Sequence, residues 1–516
     1  MATMLTALAP HLRRRSFLTI GGAAFAALLV QIGRRPRLAK AATYGELVPD
    51  PEGILDLPAG FSYRILDSFG EAMDDGYSVP ALPDGMATFT GPDDTVILMR
   101  NHELLIGDGP YELGDAPPQA FDPLAMGCVT RVVLDASTFE RISSNLILCG
   151  TLSNCAGGWS PWGWLSCEES QAPGHGYVFV CDPRATEVQE PVSVPAFGRY
   201  KHEAACVDTA TGFVYLTEDL GDSCLYRFVP DDVGEPFVGR LQALRIVGEE
   251  VAETTAMEVG QAPVVIDWVD IDEPDPEGDT VRLQAQAKGA AIFVRGEGIT
   301  FTPEGIYAVA TSGGPVGKGQ IFRLVDGEAG GTLEVVAASE DPELLDMPDN
   351  ITMSPWGELF FCEDGSNGNF LRGLTPEGEL FDFARNAMSS GEMAGVCLSP
   401  DGKALFVNLQ KDGMTLVITG PFPEAPDPGE TDGSDGSTSD DGSGSTGDDG
   451  STGDLSDGST DQETGGVDSV TAGGGADQGD GGCGCSTDGS AGDGVAAAVV
   501  AGVVGLVMKD RRREGE

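Results

Sequence analysis

Short runs of apolar and β-branched residues recur along the chain, and Gly, Pro and Asp turns separate them. Five examples are residues 131–134, 177–181, 213–217, 291–295 and 405–408. The spacing of apolar positions that an amphipathic helix requires is almost absent from the sequence around them. The pattern therefore predicts an all-β fold, with these runs among its strands.

One combination of turn and strand occurs three times. Ser160-Pro-Trp-Gly163 precedes an apolar stretch that ends in Cys167-Glu-Glu169, and Ser354-Pro-Trp-Gly357 precedes one that ends in Cys362-Glu-Asp364. A third copy begins at Ser399-Pro-Asp-Gly402 and ends in amides. Internal repetition of a turn, a strand and a polar terminus is typical of a β-array such as a propeller.

Polar side chains of the kind that bind metals follow six of the predicted strands. In a propeller, equivalent strands of successive blades surround the central channel, so we expect these ends to converge on one axial site. Six ends in residues 42–420 predict a six-bladed β-propeller with an axial metal site, with five or seven blades as alternatives. The six ends are Arg100–Glu103, Cys167–Glu169, Glu218–Asp219, Thr311–Gly314, Cys362–Asp364 and Asn408–Gln410.

The first 41 residues have the pattern of an export signal. Arg13-Arg-Arg-Ser-Phe-Leu18 precedes the apolar run 20–30, and Ala39-Lys-Ala41 fits a small-residue cleavage site. Residues 1–41 therefore resemble a Tat-type signal peptide, which exports folded proteins; an ordinary Sec signal or a membrane anchor is the alternative. Residues 42–420 form the predicted propeller domain.

Two further segments follow the predicted propeller. Residues 421–482 are rich in Asp, Gly, Ser and Thr and too poor in apolar residues to bury a core, so a disordered acidic linker is expected. Residues 483–516 combine a Cys pair, an apolar stretch and a basic end, as in a C-terminal sorting tag of the myxobacterial type; a frayed amphipathic tail is the alternative. Together the ends predict a protein that is exported by the Tat route and either held at the cell envelope or outer surface or secreted.

The charge balance limits the partners of the protein. The 516 residues include 82 Asp and Glu against 30 Lys and Arg, a formal net charge of −52. Such a field repels nucleic acid and anionic lipid, so neither is expected as a partner, and membrane contact is expected only through the C-terminal tag. So large a surplus also indicates that bound cations neutralise some of the carboxylates.

The candidate ligands are mainly oxygen atoms, because histidine is scarce. His102 and His202 each precede a glutamate, but four histidines in 516 residues do not suit an all-His zinc site. Acids at the strand ends suit hard cations such as calcium, and Cys155 offers a thiolate to a transition metal such as iron. The sequence lacks a Gly-x-Ser-x-Gly elbow and a Walker A loop, so hydrolysis would depend on metals. The candidate acids are Glu103, Glu168, Glu169, Glu203, Glu218, Asp219, Glu363 and Asp364.

A series of short motifs of ligand-type and aromatic residues follows in chain order. The motifs are Arg100–Glu103, Asn154–Gly158, Trp162–Glu169, Gly198–Glu203, Thr217–Asp219, Trp268–Ile271, Asp349–Thr352 with Cys362–Asp364, and Leu371–Pro376 with Phe383–Asn386. Taken together, these motifs resemble those of the PhoX-type alkaline phosphatases. The resemblance runs from about residue 55 to residue 412.

This resemblance implies an exported propeller that hydrolyses phosphate monoesters by attack of a metal-bound oxo or hydroxo group, with iron and calcium as cofactors. Carried over by motif, Cys155 would bind iron. Iron or calcium would be held by Glu103, Glu169, Glu203, Glu218 and Glu363, with Glu168 or Asp364 as the other acid of its pair. Arg372, and also Arg385 or Arg199, would contact the phosphate. The expected partners are small-molecule phosphate esters and the export machinery, and the protein is expected to be a monomer.

Two other functions stay open at this point. A lactonase-type propeller hydrolase uses a single divalent cation, for which fewer converging acids and no thiol are expected. A calcium-stabilised surface propeller would act as a non-catalytic binding module displayed on the acidic linker.

Overall fold

The computed structural model describes residues 43–107, 116–327, 330–366 and 368–424. The predicted signal peptide, nearly all of the predicted linker and the predicted sorting tag lie outside these residues. Within the described chain, no helix is both long enough and apolar enough to span a bilayer.

Antiparallel sheets dominate the regular secondary structure of the described chain, which confirms the all-β prediction. Three strands come first: β1 (Leu47–Val48), β2 (Leu55–Pro58) and β3 (Ser62–Ser68). Sheet I contains β4 (Pro83–Thr90), β5 (Thr95–His102), β6 (Gly127–Asp135) and β7 (Arg141–Thr151). Sheet II contains β8 (Gly158–Ser160), β9 (Gly163–Cys167) and β10 (Val178–Cys181).

Sheet III has nine strands, in which two antiparallel runs of four are joined through β15. The first run is β11 (His202–Val207), β12 (Val214–Glu218), β13 (Tyr226–Pro230) and β14 (Gly239–Ile246), followed by β15 (Val264–Asp270). The second run is β16 (Gly296–Thr302), β17 (Gly305–Ala310), β18 (Gln320–Val325) and β19 (Gly331–Ala338). One short helix, α1 (Val281–Gln286), and two 3₁₀ turns (Pro195–Phe197 and Thr254–Ala256) lie in the connections.

The last two sheets are completed by the first strands of the chain. Sheet IV contains β20 (Pro348–Met353), β21 (Leu359–Glu363), β22 (Phe370–Leu374) and β23 (Leu380–Asn386), extended by β2 and β1. Sheet V contains β24 (Met393–Leu398), β25 (Ala404–Leu409) and β26 (Met414–Thr419), and β3 pairs with β26. Residues near both ends of the described chain thus share one sheet, which closes the structure.

The strands β4, β8, β11, β16, β20 and β24, here called the inner strands, form a propeller-like ring. Each of them packs beside the next, and β24 packs beside β4. A channel of about 490 Å³ runs between them, lined mostly by apolar side chains and backbone such as Met86, Trp159, Val207 and Ile351. The channel leads from the starts of these strands toward the hairpins at their other ends.

The three repeated turns occupy the same place in the fold. They connect β8 to β9, β20 to β21 and β24 to β25, the first and second strands of each set. The serine hydroxyl stabilises each turn: Ser160 Oγ donates to the carbonyl of Gly163 (2.6 Å), and Ser354 Oγ accepts from the amide of Glu358 (2.9 Å). The repeat read from the sequence is therefore a repeated inner hairpin.

One of the five predicted strands is wrong. Residues 291–295 form only isolated bridges, Glu253↔Ile292 and Ser223↔Phe293, and the strand begins at Gly296. Backbone amides of this segment donate to carbonyls outside a continuous strand ladder; Phe293 N, for example, donates to Ser223 O (2.9 Å). The reason is that the segment leads from α1 to the inner strand β16. Its apolar residues pack as part of a core cluster, which explains the strand-like sequence.

A buried ion pair holds the closing strand against sheet I. Arg100 in β5 is 0% exposed, and its guanidinium contacts Asp67 in β3 through two nitrogen atoms, at 2.5 and 3.2 Å. Arg100 also donates to Thr130 Oγ1 at 3.1 Å. Because both charges are buried and fully paired, loss of either partner would leave the other uncompensated.

Candidate metal centre

The acids of the site come largely from the beginnings of the inner strands. They are Asp84 in β4, Glu203 in β11, Glu297 in β16 and Asp349 in β20. Each is followed by a residue with a small or short side chain; after Asp84 comes Gly85. A Cβ at Gly85 would collide with the carbonyl oxygen of Ala156 on the neighbouring segment. The absence of a side chain there lets the strands approach closely and brings their acids together.

Seven ligand-type side chains form one continuous set at this end of the ring, here called the axial cluster. Its members are Asp84, Glu103, Cys155, Glu169, Glu203, Glu297 and Asp349. They form three overlapping groups of three, and in each group one ligand atom per residue lies within 4.8 Å of the others. Cys155 and Glu203 each belong to two groups, so neighbouring cation sites would share ligands.

Backbone contacts fix the segment that carries Cys155. The amide of Cys155 donates to Cys167 O (3.1 Å), and Asn101 Nδ2 donates to Cys155 O (2.7 Å). Asn101 is itself held by Trp164 Nε1, which donates to Asn101 Oδ1 at 2.8 Å. The Cys155 Sγ lies 3.9 Å from Asp84 Oδ2. The thiol is thus presented to the cluster by a segment whose polar groups are satisfied.

The electrostatics of the axial cluster favour protonated acids when no cation is bound. Burial, reinforced by neighbouring carboxylates, raises the pKa of Asp84 and of Glu103 to about 7 and that of Glu169 to about 8. The same two causes, burial first, hold the pKa of Glu203 well above its usual range. Burial and then the nearby carboxylates also raise the pKa of the Cys155 thiol. A bound metal would reverse these shifts, because it stabilises the charged form.

Two carboxylate oxygens in the axial cluster have no hydrogen-bond donor among the described residues. They are Asp84 Oδ1 and Glu203 Oε2, both fully buried. A buried carboxylate oxygen without a donor is costly unless a cation or water occupies the space beside it. The donor set, six carboxylates and one thiol, fits hard cations together with a thiophilic transition metal. The residues present therefore fit a site for several metal ions.

Gln410 links the axial cluster to one more acid. Its Nε2 lies 2.7 Å from Asp84 Oδ2, 3.0 Å from Glu103 Oε2 and 3.4 Å from Glu392 Oε1. Burial first, then the nearby Asp349 and Asp84, raises the pKa of Glu392 well above its usual range. The side-chain amide of Gln410 thus stands beside three carboxylates, and its two N–H donors are too few to compensate three negative charges.

Three cationic side chains stand at the edge of the axial cluster. Lys201 contacts Glu169 and lies 3.4 Å from Asp219, and Arg295 binds both oxygens of Asp219 (2.8 and 2.9 Å) and Glu297 (2.9 Å). Lys411 lies 3.8 Å from carboxylate oxygens of both Asp364 and Glu392. These groups are partly exposed, so they meet both the buried acids and solvent.

Six sequence-predicted residues lie in or beside the axial cluster, among them Asp219, which stands at its edge between Lys201 and Arg295. Cys155, Glu103, Glu169 and Glu203 belong to it. Asp364 stands at the edge, near Lys411, with its backbone amide bonded to Met347 O (3.0 Å).

Three other predicted ligands are held by the protein itself, away from the cluster. Glu168 accepts from the amides of Leu152 and Gly176 and contacts His175 (2.7 to 2.9 Å). Glu218 accepts from the Tyr226 hydroxyl (2.7 Å). Glu363 accepts from the amide of Asp346 (2.8 Å) and from Arg372 Nε (2.7 Å).

The placement of these three residues departs from the expected ligand set for a simple geometric reason. Successive side chains of a strand point to opposite faces, so only one acid of each adjacent pair can face the cluster. In the pair Glu168-Glu169 it is Glu169 that does so. In the pairs at the ends of β12 and β21, Glu218 and Glu363 are the first acids, and the second acids Asp219 and Asp364 stand at the edge of the cluster.

The three predicted phosphate-binding arginines are likewise bound to protein acceptors. Arg372 contacts Glu363 and Asp382 and is 2% exposed. Arg385 pairs with Asp56 (2.5 Å), and Arg199 donates to backbone carbonyls including Pro276 O (2.7 Å). In this structure they stand in ion pairs and backbone contacts rather than at the axial cluster, and their phosphate contact stays a prediction.

Both histidines that precede glutamates are structural here. His102 contacts Ala81 O and Thr130 Oγ1, both at 2.9 Å, and burial lowers the pKa of its ring well below the usual range. His202 stacks on Tyr200 with the ring centroids 3.7 Å apart. In each pair the glutamate faces the cluster and the histidine packs behind it.

Sequence reasoning missed four acids: Asp84, Glu297, Asp349 and Glu392. The signal for three of them was present in Asp84-Gly85, Glu297-Gly298 and Asp349-Asn350, an acid followed by a small or short residue at the start of an inner strand. The strand ends noted in the sequence follow second strands, whereas these three acids lie at the starts of inner strands. Glu392 follows a Ser-Ser-Gly turn and has no comparable signal.

Comparison with known proteins identifies the family of the chain. A family model described as alkaline phosphatase PhoX matches residues 42–112 and 135–413, more than half of the chain. No curated protein matches the chain.

Among solved structures, the chain is similar to Pseudomonas fluorescens PhoX, determined in complex with vanadate, a transition state analogue. The TM-score is 0.57 and the identity 19%, over 74% of this chain and 98% of that one. A weaker likeness links it to the gluconolactonase XC5397 of Xanthomonas campestris, with a TM-score of 0.40 and 12% identity over 75% of this chain and 100% of that one.

Proposed function

The chain belongs to the alkaline phosphatase PhoX family and is an alkaline phosphatase-like phosphoric monoester hydrolase, and from this premise we propose that metal ions in the axial cluster are its catalytic cofactor. The observation that carries the proposal is the convergence of buried ligand-type side chains that have too few donors. Seven ligand-type groups converge, and fully buried oxygens of Asp84 and Glu203 have no partner among the described residues. Bound cations would supply the positive charge that the protein's own donors do not.

The identity of the metals follows from the donor atoms. We assign calcium to carboxylate-rich groups such as Glu203, Glu297 and Asp349, because hard cations prefer oxygen ligands. We assign iron to the side of the cluster that holds Cys155, because thiolate favours transition metals. When bound, such ions neutralise the charge of the phosphoryl group and activate a water molecule.

The chain's own residues would bind and orient the phosphate monoester. Arg295 offers a planar guanidinium at the edge of the cluster, held in place by Asp219, and Lys201 stands beside it with Glu169. Metal binding to Glu169 and Glu297 would weaken the ion pairs that now occupy these cations, which frees donors for phosphate oxygens. P. fluorescens PhoX, which has a similar fold, was determined in complex with vanadate, a transition state analogue, and this supports a phosphoryl substrate.

The proposal extends to organisation and location. We propose six blades, because β4, β8, β11, β16, β20 and β24 each begin one antiparallel set of strands around the ring. The sequence supports export by the Tat route and retention at the envelope through residues 483–516. A monomer with small-molecule phosphate esters as substrates is the proposed working form.

The test combines elemental analysis with hydrolysis of an aryl phosphate by the full chain. We expect iron and calcium in the purified protein and turnover that a chelator removes. Cys155→Ala is expected to lose iron and turnover together, whereas Cys181→Ala, at a thiol buried among apolar side chains, keeps both. Turnover in a protein that contains no metal would overturn the proposal. Calcium without any turnover would favour the surface binding module instead.

A further inference from the structure

Two cysteines of sheet I face each other across neighbouring strands. Cys128 in β6 is paired in register with Cys149 in β7. Both are 0% exposed and belong to the same hydrophobic cluster, which also contains Met73 and Leu146. Their side chains therefore lie on the same face of the sheet, directly opposite each other.

The backbone shows which kind of antiparallel pair they form. The carbonyl of Cys149 accepts from the amide of Phe121 (3.0 Å), on the side of β7 away from β6. A strand residue points its N–H and C=O to the same side, so Cys149 does not exchange hydrogen bonds with Cys128. In such a pair the Cα atoms are about 4.5 Å apart. That separation lies within the range of roughly 4.4–6.8 Å that disulfides span.

We propose that Cys128 and Cys149 are a site of covalent modification, a disulfide that joins β6 to β7. The registers single out this pair among the cysteines of the described strands. Cys181, Cys206 and Cys397 lie opposite Trp164, Tyr215 and Phe406. Cys167 and Cys362 lie opposite Val178 and Leu371.

The bond forms by exchange with a small-molecule disulfide such as oxidised glutathione. One protein thiolate attacks the oxidant and releases one glutathione thiolate, which gives a mixed disulfide. The second protein thiolate then displaces the other glutathione. The two protein thiols lose two protons and two electrons, and the oxidant becomes two glutathione thiols. Tat export would move the chain out of the reducing cytoplasm already folded, and both thiols are buried in the folded chain. The exchange therefore takes place after export, when β7, the edge strand of sheet I, separates locally from β6.

The cross-link lies next to the segment that carries Cys155, and its formation requires no metal. Cys149 is followed by Gly150 and Thr151, after which the chain enters the segment that carries Cys155. Cys128 follows Gly127, where a Cβ would collide with Asn154 Oδ1. The disulfide therefore fixes the start of the Cys155 segment to the centre of sheet I.

Peptide mapping of the full chain tests the proposal. The protein is produced in an oxidising and in a reducing compartment, alkylated with iodoacetamide under denaturing conditions and digested without reduction. Trypsin cuts after Arg131 and Arg141, and chymotrypsin after Leu152, which separates the two cysteines from each other and from Cys155. The expected product of the oxidised preparation is a cross-linked peptide pair two hydrogen masses lighter than its parts. The reduced preparation yields both residues alkylated.

Two variants and a co-produced disulfide protein serve as controls. Cys128→Ser is expected to return Cys149 in alkylated form. Cys128→Ala/Cys149→Ala is expected to have a melting temperature that does not respond to a phosphine reductant, whereas that of the oxidised wild-type protein falls. Recovery of both cysteines alkylated from the oxidising compartment, while a co-produced disulfide protein is oxidised, would overturn the proposal. So would a cross-link of either residue to another cysteine.

Discussion

Two sets of buried glutamates and aspartates lie within a few strands of each other, and they differ in their neighbours. Glu168, Glu218 and Glu363 are 0% exposed and accept hydrogen bonds from amides, a hydroxyl or a guanidinium, although Glu218 and Glu363 each keep one oxygen with no donor among the described residues. Asp84 and Glu203 are as deeply buried and also keep one such oxygen each, but they alone of these acids belong to groups of three converging ligand-type side chains. The first set holds connections in place, whereas the second set fits bound cations. Burial of an acid, even with one oxygen that lacks a donor, is thus a weaker sign of a metal site than the convergence of several acids.

The largest expected difference is between two glutamates on paired strands. Glu203→Gln removes a ligand shared by two groups of the cluster, so we expect bound metal to fall and kcat/KM to drop by at least about 100-fold. Glu218→Gln is the matched control, because its amide oxygen still accepts from Tyr226. We expect its activity to stay within about threefold of wild type. Equal losses in the two variants would contradict the distinction between the two sets.

The next largest effect concerns stability. Glu168→Ala leaves the buried amides of Leu152 and Gly176 without an acceptor, so we expect the free energy of unfolding to fall by about 3–5 kcal/mol. Denaturant unfolding of the metal-free protein measures it. Glu169→Ala, one residue along, removes an acid that only Lys201 compensates, and we expect it to change the stability of the metal-free protein far less. A larger loss of stability for Glu169→Ala than for Glu168→Ala would contradict the structural role assigned to Glu168.

The pH dependence of the metal-free protein is a third test. Because the folded-state pKa values of Asp84, Glu103 and Glu169 are raised to about 7, 7 and 8, the folded chain binds more protons than the unfolded chain above about pH 4. Stability is therefore expected to decline as the pH rises from about 4 to 8.

Calcium should oppose this decline, because it stabilises the ionised cluster. Both effects are tested by measuring the melting temperature of the metal-free protein between pH 5 and 8, with and without added calcium. A metal-free protein that gains stability over this interval would show that the acids are not forced together in solution. In Glu203→Gln we expect a shallower decline, since one strongly shifted acid is gone.

The smallest expected effect is at the edge of the site. Lys411 stands 3.8 Å from Asp364 and from Glu392, and its removal should raise KM for a phosphate monoester by about threefold with little change in kcat, more at low than at high salt. Lys403 is the matched control, since it is also an exposed lysine of sheet V but lies in the hairpin at the other end of β25. Lys403→Ala should leave KM unchanged. Equal behaviour of both variants would remove Lys411 from substrate binding.

Much of the fold was readable from local patterns. The repeated Ser-Pro-x-Gly turns predicted a β-array such as a propeller, and each turn proved to join the first two strands of a set. Local signals also placed Glu103, Cys155, Glu169 and Glu203 near the metal site. The run 291–295 misled because its apolar residues pack in the core without joining a ladder.

The sequence by itself determined the all-β class, the repeated hairpin, the acidic balance and a thiol beside convergent acids, since these depend on residue type and on spacing of a few positions. Only the tertiary structure decided which acids meet. Strand number in a sheet and side-chain alternation placed Asp84, Glu297 and Asp349 on the axis, and put Glu168, Glu218 and Arg372 in contact with the protein's own donors and acceptors. Whether an acid faces a cation or a backbone amide depends on neighbours that are distant in the chain, such as Gln410 beside Asp84.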